Sequence, residues 1–350
     1  VPVDSRVAPR HHLRVASPLA SHWGLDPTIT FLNHGSFGAC PREVLRAQAA
    51  HRDALEAEPV RYMVRELEPR LDHARTTLAA FMGADPDGLV FVTNATEGVN
   101  TVLARLPLAP GDAVLTTDHA YGACKNALDD LAARRGVEVI VARVPFPLAS
   151  PDEVVAAVEA AVTPRVRLAM LDHITSQTGL VFPIEALVAK LQARGIDCLV
   201  DGAHAPGMVP LELDRLGAAY YTGNCHKWLC TPKGSAFLWV RADRRDQVRP
   251  LVISHGARTR RTDKSRFLVE FDWTGTRDPS AVLSIPAALE FMAGLVPGGW
   301  PAIPRAEPHA GGARAPAPAG PAGHRRARAR RDVGQPGHRA AAAGAAGAPA

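Results

Sequence analysis

The sequence predicts an α/β domain built on a mostly parallel sheet lying between helices. Two observations carry this. Short, almost wholly apolar, β-rich runs recur along the chain, as expected of strands covered on both faces. Segments with helical patterning lie between them, and that alternation is the mark of a mainly parallel sheet.

In chain order, "ELEPRLDHARTTLAAFMG" (66–83) reads as a helix, and "AVLTT" (113–117) and "VEVIVA" (137–142) as strands. "SPDEVVAAVEAAV" (150–162) opens with Ser-Pro followed by carboxylates, a good helix start. "VRLAMLDHI" (166–174) is the next strand, and "IEALVAKLQARG" (184–195) is a helix ending in glycine. "IDCLVD" (196–201) and "AFLWV" (236–240) complete the strands. There is no internal repeat. In sheets of this kind ligands sit at the carboxyl ends of the strands.

A length of 350 residues and 47% apolar content allow one large domain with a sizeable core and a smaller partner. No apolar run reaches bilayer-spanning length. Residues 1–28 contain no signal-peptide apolar core and read as an extended arm. Five cysteines without tight metal spacing point to reduced thiols, a cytoplasmic location and no metal.

The formal charge of +5 is unevenly placed. Residues 301–350 carry +6, leaving about −1 for the first 300. Those last fifty residues include 42 Ala, Pro, Gly or Arg, with no Leu and no aromatic residue. Such a segment buries too little apolar surface to offset its chain entropy, so 296–350 reads as a low-complexity, disordered tail. A reading-frame slip in GC-rich DNA would give the same composition. The arginines at 325, 326, 328, 330 and 331 have no aromatics between them for base stacking, which argues against nucleic-acid binding.

Three stretches carry chemistry. In "FVTNATEGVNTVLARL" (91–106) a strand end runs into a helix, and the N–H groups of Ala95 and Thr96 with the Thr96 hydroxyl form either an anion cradle or an ordinary helix cap. In "LVDGAHAPG" (199–207) Asp201 closes an apolar strand; it either caps a helix or pairs with a cation such as a protonated heterocycle. In "GNCHKWLCTPKG" (223–234) Lys227 is either a snorkelling surface lysine or an amine whose pKa desolvation lowers for attack on an aldehyde. A phosphate-ready helix start, a strand-end Asp and a strand-flanked Lys, in that order, are the anchors that pyridoxal phosphate requires.

With "FLNHGSFGACP" (31–41), "TTDHAYGA" (116–123), "SQTG" (176–179) and "WTGTRDPS" (273–280), these stretches make the chain resemble class V aminotransferase-family proteins of the fold-type I pyridoxal-phosphate enzymes, most nearly the isopenicillin N epimerase-like ones. The resemblance spans roughly residues 30–290 and implies a large cofactor-binding domain over 29–295. It implies that Lys227 is the Schiff-base lysine and that Asp201 keeps the pyridine nitrogen protonated. His204 and Ser176 would lie near the phenolic oxygen, while Ala95, Thr96, Asn224 and His226 would hold the phosphate. Tyr121, or failing that His119, would stack on the ring. Asn33 and His34 would sit at the substrate entrance. Thr276 would reach the phosphate of a second subunit in a homodimer with shared sites.

The implied substrate is a small amino acid or peptide-like amine, with no nucleic-acid or membrane partner. Family members continue into a small C-terminal domain that typically supplies a carboxylate-binding arginine; here the pattern is lost near residue 300. Epimerisation is the leading activity. C–S lyase chemistry is the alternative, a cysteine desulfurase ranks lower because the tail has no Cys, and a defunct cofactor binder is the non-enzymatic rival.

Overall fold

The computed structural model describes residues 17–303, and the expectations for 1–16 and 304–350 lie outside the described residues. A seven-stranded sheet is the frame: β1 (Leu89–Val92), β2 (Ala113–Thr117), β3 (Glu138–Ala142), β4 (Val166–Asp172), β5 (Asp197–Asp201), β6 (Tyr220–Asn224) and β7 (Ala236–Val240). The order across it is β1-β7-β6-β5-β4-β2-β3. The pairs from β6 through β5, β4 and β2 to β3 are parallel, whereas β7 runs antiparallel to both β6 and β1. The reason lies in the connection. Only residues 225–235 join β6 to β7, too few for the crossover that a parallel pair needs. That short connection is the Lys227 stretch.

The helices, in order, are a single turn α1 (His34–Phe37), α2 (Arg42–Ala57), α3 (Pro59–Arg61), α4 (Leu67–Met82), α5 (Ala95–Arg105), α6 (Gly122–Arg135) and α7 (Asp152–Ala161). After them come α8 (Ile184–Gln192), α9 (Leu213–Leu216), α10 (Arg266–Asp272), α11 (Ser280–Leu283) and α12 (Ile285–Leu295). Side chains alternate across the sheet, so each strand feeds two cores. Ala169, Leu171 and Val200 pack with α4, α7 and α8 on one face. Leu168, Met170 and Leu199 pack with α5, α6 and α10 on the other.

The described part of the N-terminal arm is docked: Trp23 bridges to Pro41, and its ring meets Phe291 of α12 edge-on at 6.1 Å. At the other end, Trp300 packs on Phe81 at 4.8 Å and donates its indole N–H to Leu289 O at 3.1 Å. The packed body therefore runs past residue 295, where the low-complexity tail was expected to begin. An aromatic anchor outweighs the surrounding Pro and Gly. No helix among the described residues is long and apolar enough to cross a membrane.

The register places the site. Asp172 pairs with Asp201, and Asp201 with Thr222, while Asn224 sits one pleat further along β6. The carboxyl ends of β4, β5 and β6 thus form one ledge carrying Asp172, Asp201 and Asn224.

Candidate active site

At one end of this ledge stands α5. Asn94, extended at φ −163°, caps it by accepting from Glu97 N at 2.9 Å. The Glu97 carboxylate reaches back to Thr93, accepting from its N–H at 2.7 Å and its hydroxyl at 2.5 Å. This reciprocal arrangement satisfies the start of the helix locally, as in a capping box. Ala95 N donates to Asn224 Oδ1 at 2.8 Å, which leaves the Asn224 amide group free to donate. His226 Nδ1 lies 3.0 Å from Ser235 O. A carbonyl only accepts, so Nδ1 carries the hydrogen and Nε2 carries the lone pair. Burial lowers the His226 pKa and keeps the ring neutral. The helix N-terminus and the Asn224 amide are donors, and His226 becomes one when Nε2 takes up a proton, so together they make a fitting seat for a phosphate.

At the other end is a pair of carboxylates. Asp201 accepts from Ala203 N at 3.0 Å and from the Cys124 thiol at 3.2 Å. Asp172 is beside it, also buried. Burial raises both pKa values, and the Asp201 charge raises that of Asp172 further. Two such carboxyls cannot both ionise without a cation between them. Burial pushes the Lys227 pKa down, an effect opposed by the charge of Asp201. Its amine lies 3.0 Å from His204 Nε2. His204, half-buried and beside Lys227, has its pKa pushed down to about 4.

The α1 turn closes over the lysine loop. Gly38 takes φ +60°, and a Cβ there would lie 2.1 Å from His226 O and 2.8 Å from Lys227 O. Only glycine permits this approach.

Between the two ends is a cavity of about 340 Å³ lined by Ala95, Thr96, Tyr121, Ser176, Asp201, His204, Asn224, His226 and Lys227. Nine residues expected from the sequence thus converge on one space. Four others do not line it. Asn33 caps α1 by accepting from Ser36 N at 3.0 Å, and His34 stacks on Trp228 at 6.0 Å, leaving the cavity wall to Ser36 and Phe37. Thr276 is solvent-exposed. His119 is engaged with Thr178 Oγ1 at 2.9 Å and Val144 O at 3.1 Å, outside the cavity lining. The sequence reading missed Asp172, which looked like one polar residue in a strand, and Cys124, whose contact with Asp201 spans 77 positions. A larger cavity of about 720 Å³, lined mainly by apolar residues such as Phe182, Val209 and Leu211, lies apart from Lys227.

The residues present fit pyridoxal phosphate. Among the described residues buried Asp201 accepts from a thiol and an amide, and it needs a cation, which a protonated ring nitrogen supplies. The α5 end offers anion donors, and Lys227 offers an amine with a lowered pKa. The volume lies within the range of small-molecule sites.

Residues 38–296 match the family Aminotransferase class-V. The chain is 39% identical over 283 residues to isopenicillin N epimerase of Amycolatopsis lactamdurans, covering 77% of this chain and 71% of that protein. It is 35% identical over 301 residues to putative L-cysteine desulfhydrase 1 of Oryza sativa subsp. japonica, covering 81% of this chain and 61% of that protein. A solved structure of C-DES with glycine covalently linked to its pyridoxal phosphate superposes with a TM-score of 0.68 at 26% identity, covering 75% of this chain and 70% of that one. The chain therefore belongs to the class V aminotransferase family of fold-type I enzymes, and its cofactor is pyridoxal 5′-phosphate.

Proposed function

We propose that this protein acts at the α-carbon of an amino acid or peptide-like amine, as an isopenicillin N epimerase-type enzyme. The observation that carries the reading is the Lys227 amine, held at a cavity wall with buried Asp201 at one end and the α5 N-terminus at the other. Bound pyridoxal phosphate supplies an electron sink for a carbanion at the α-carbon. The chain supplies the rest. Asp201 would hold a proton on the ring nitrogen, and Thr96, Asn224 and His226 with the Ala95 segment would hold the phosphate. Lys227 Nζ would serve as the acid–base for the α-proton on one face. Tyr121, at the rim, is the candidate donor on the opposite face. Thr276, exposed and outside the cavity, fits a role at the site of a second subunit in a homodimer.

A second reading, C–S lyase, is favoured by the likeness to the desulfhydrase. It shares every residue above except the opposite-face donor, because loss of a β-substituent needs no second protonation face.

Lys227→Ala tests the reading. The wild type with added pyridoxal phosphate should show a visible band that borohydride fixes covalently, and the folded variant should lack it. Incubation with isopenicillin N should then invert one stereocentre, and L-cysteine should release little sulfide. Sulfide release without inversion would replace the first reading by the second. A wild type without the band would remove both.

A further inference from the structure

His204 is held from both sides. Its Nε2 faces Lys227 Nζ at 3.0 Å, and its Nδ1 faces Trp228 Nε1 at 3.5 Å. An indole nitrogen can only donate, so Nδ1 must accept. With its pKa near 4 the imidazole is neutral at ordinary pH and carries one hydrogen. That hydrogen is then on Nε2. An Nε2–H aimed at Lys227 needs a lone pair to point at; the unprotonated amine has one and the ammonium has none.

The indole is itself confined. His34 stacks on it at 6.0 Å with an interplanar angle of 27°. A Cβ on Gly35 would lie 3.2 Å from His204 Cε1 and 3.3 Å from Trp228 Cζ2. The α1 turn therefore leaves both rings little room to move apart.

We propose that Trp228 is a positioning residue whose indole N–H fixes His204 as the Nε2–H tautomer, so that His204 donates toward Lys227 Nζ and, with cofactor bound, toward the phenolic oxygen of its ring. The proposal rests on the reading of Lys227 as the Schiff-base lysine and deepens it. It gives Trp228 and His34 roles that their sequence positions do not reveal.

The test reads the tautomer directly. The full chain is labelled with ¹⁵N-histidine, and the His204 signals are assigned by their loss in His204→Gln. In the wild type without pyridoxal phosphate, Nε2 should be protonated and Nδ1 unprotonated. Trp228→Phe keeps an aromatic ring against His34 and removes the donor. In it the two nitrogen shifts should converge as the Nδ1–H tautomer becomes populated. Formation of the lysine-bound visible band on adding pyridoxal phosphate should slow about fivefold, the scale of one hydrogen bond.

A wild-type His204 protonated on Nδ1 would overturn the proposal, as would a folded Trp228→Phe with wild-type shifts. If that variant does not fold, the wild-type tautomer alone decides. A chain showing Nε2–H but taking up no pyridoxal phosphate would sink the proposed function while supporting the tautomer assignment.

Discussion

Arg75, Lys264, Asp72 and Asp272 form a charge cluster between α4 and α10, and Asp172, Asp201 and Lys227 form another at the carboxyl ends of β4 and β5. In the first, each charge meets its opposite. Arg75, with its side chain 3% exposed, lies 2.6 Å from Asp272, and Lys264 lies 2.8 Å from Asp272 and 2.7 Å from Asp72. Arg75 also donates to Leu89 O at 2.9 Å, tying α4 to β1. In the second, Asp172 and Asp201 are only 4% and 3% exposed, yet neither forms an ion pair within 4 Å among the described residues. A cluster that neutralises itself cross-links the fold. One that leaves a buried carboxylate pair short of a cation is complete only when a ligand supplies it.

The largest expected effects cross the two clusters. Asp272→Asn leaves Arg75 and Lys264 short of an anion in a poorly hydrated site and should cost about 3–5 kcal/mol in denaturant unfolding. The cofactor's visible band should persist wherever that variant is folded. Asp201→Asn should do the reverse, with an unfolding midpoint at or above wild type and turnover down at least about 100-fold. Equal loss of stability in the two variants would erase the distinction between them.

A smaller effect sharpens the phosphate end. Burial lowers the His226 pKa in the cofactor-free chain, and its Nδ1 hydrogen is committed to Ser235 O. A neutral His226 would then turn a lone pair toward the phosphate, so binding should draw a proton onto Nε2 and raise the pKa. Affinity for pyridoxal phosphate is therefore full below the free-state pKa. It should fall about tenfold per pH unit up to the bound-state pKa, and level off above it. Calorimetric titration at pH 7.5 in buffers of different ionisation enthalpy should show more proton uptake in the wild type than in His226→Asn. Equal uptake would leave His226 without this role.

The smallest effect concerns Asp172. Its folded pKa is raised above the ordinary 3.8, by burial first and then by Asp201. The folded chain therefore holds that proton more tightly than the unfolded one. The stability of the cofactor-free protein should fall as pH rises from near 3.8 to the raised folded value, then level off. Asp172→Asn stays neutral and should remove that slope, raising Tm at pH 8 by about 2 °C with the gain vanishing toward pH 4. An unchanged Tm difference across that range would mean that Asp172 is not the titrating group.

Much of the fold was legible because buried strands announce themselves by apolar runs. β2 and β7 have the bounds read from the sequence, and β4 and β5 differ by a residue or two at an end. β6 was not legible: "YYTGN" carries Thr, Gly and Asn, although all five residues are buried. Two of its polar side chains find partners only in the fold, where Asn224 accepts from Ala95 N and Thr222 donates to Phe237 O. The boundary at 296 left Trp300 in the tail, because its partner Phe81 is more than two hundred positions away.

The sequence by itself determined the alternation of strands and helices and the order of the motifs around Thr96, Asp201 and Lys227, because apolar periodicity and residue type are local properties. Only the tertiary structure decided that Asp172 stands beside Asp201, that Cys124 donates to it, and that Trp228 and Lys227 take opposite sides of one imidazole. Strand register sets the first of these contacts and packing across the ends of the sheet sets the others. Both come from burying many side chains at once, so no single stretch encodes them.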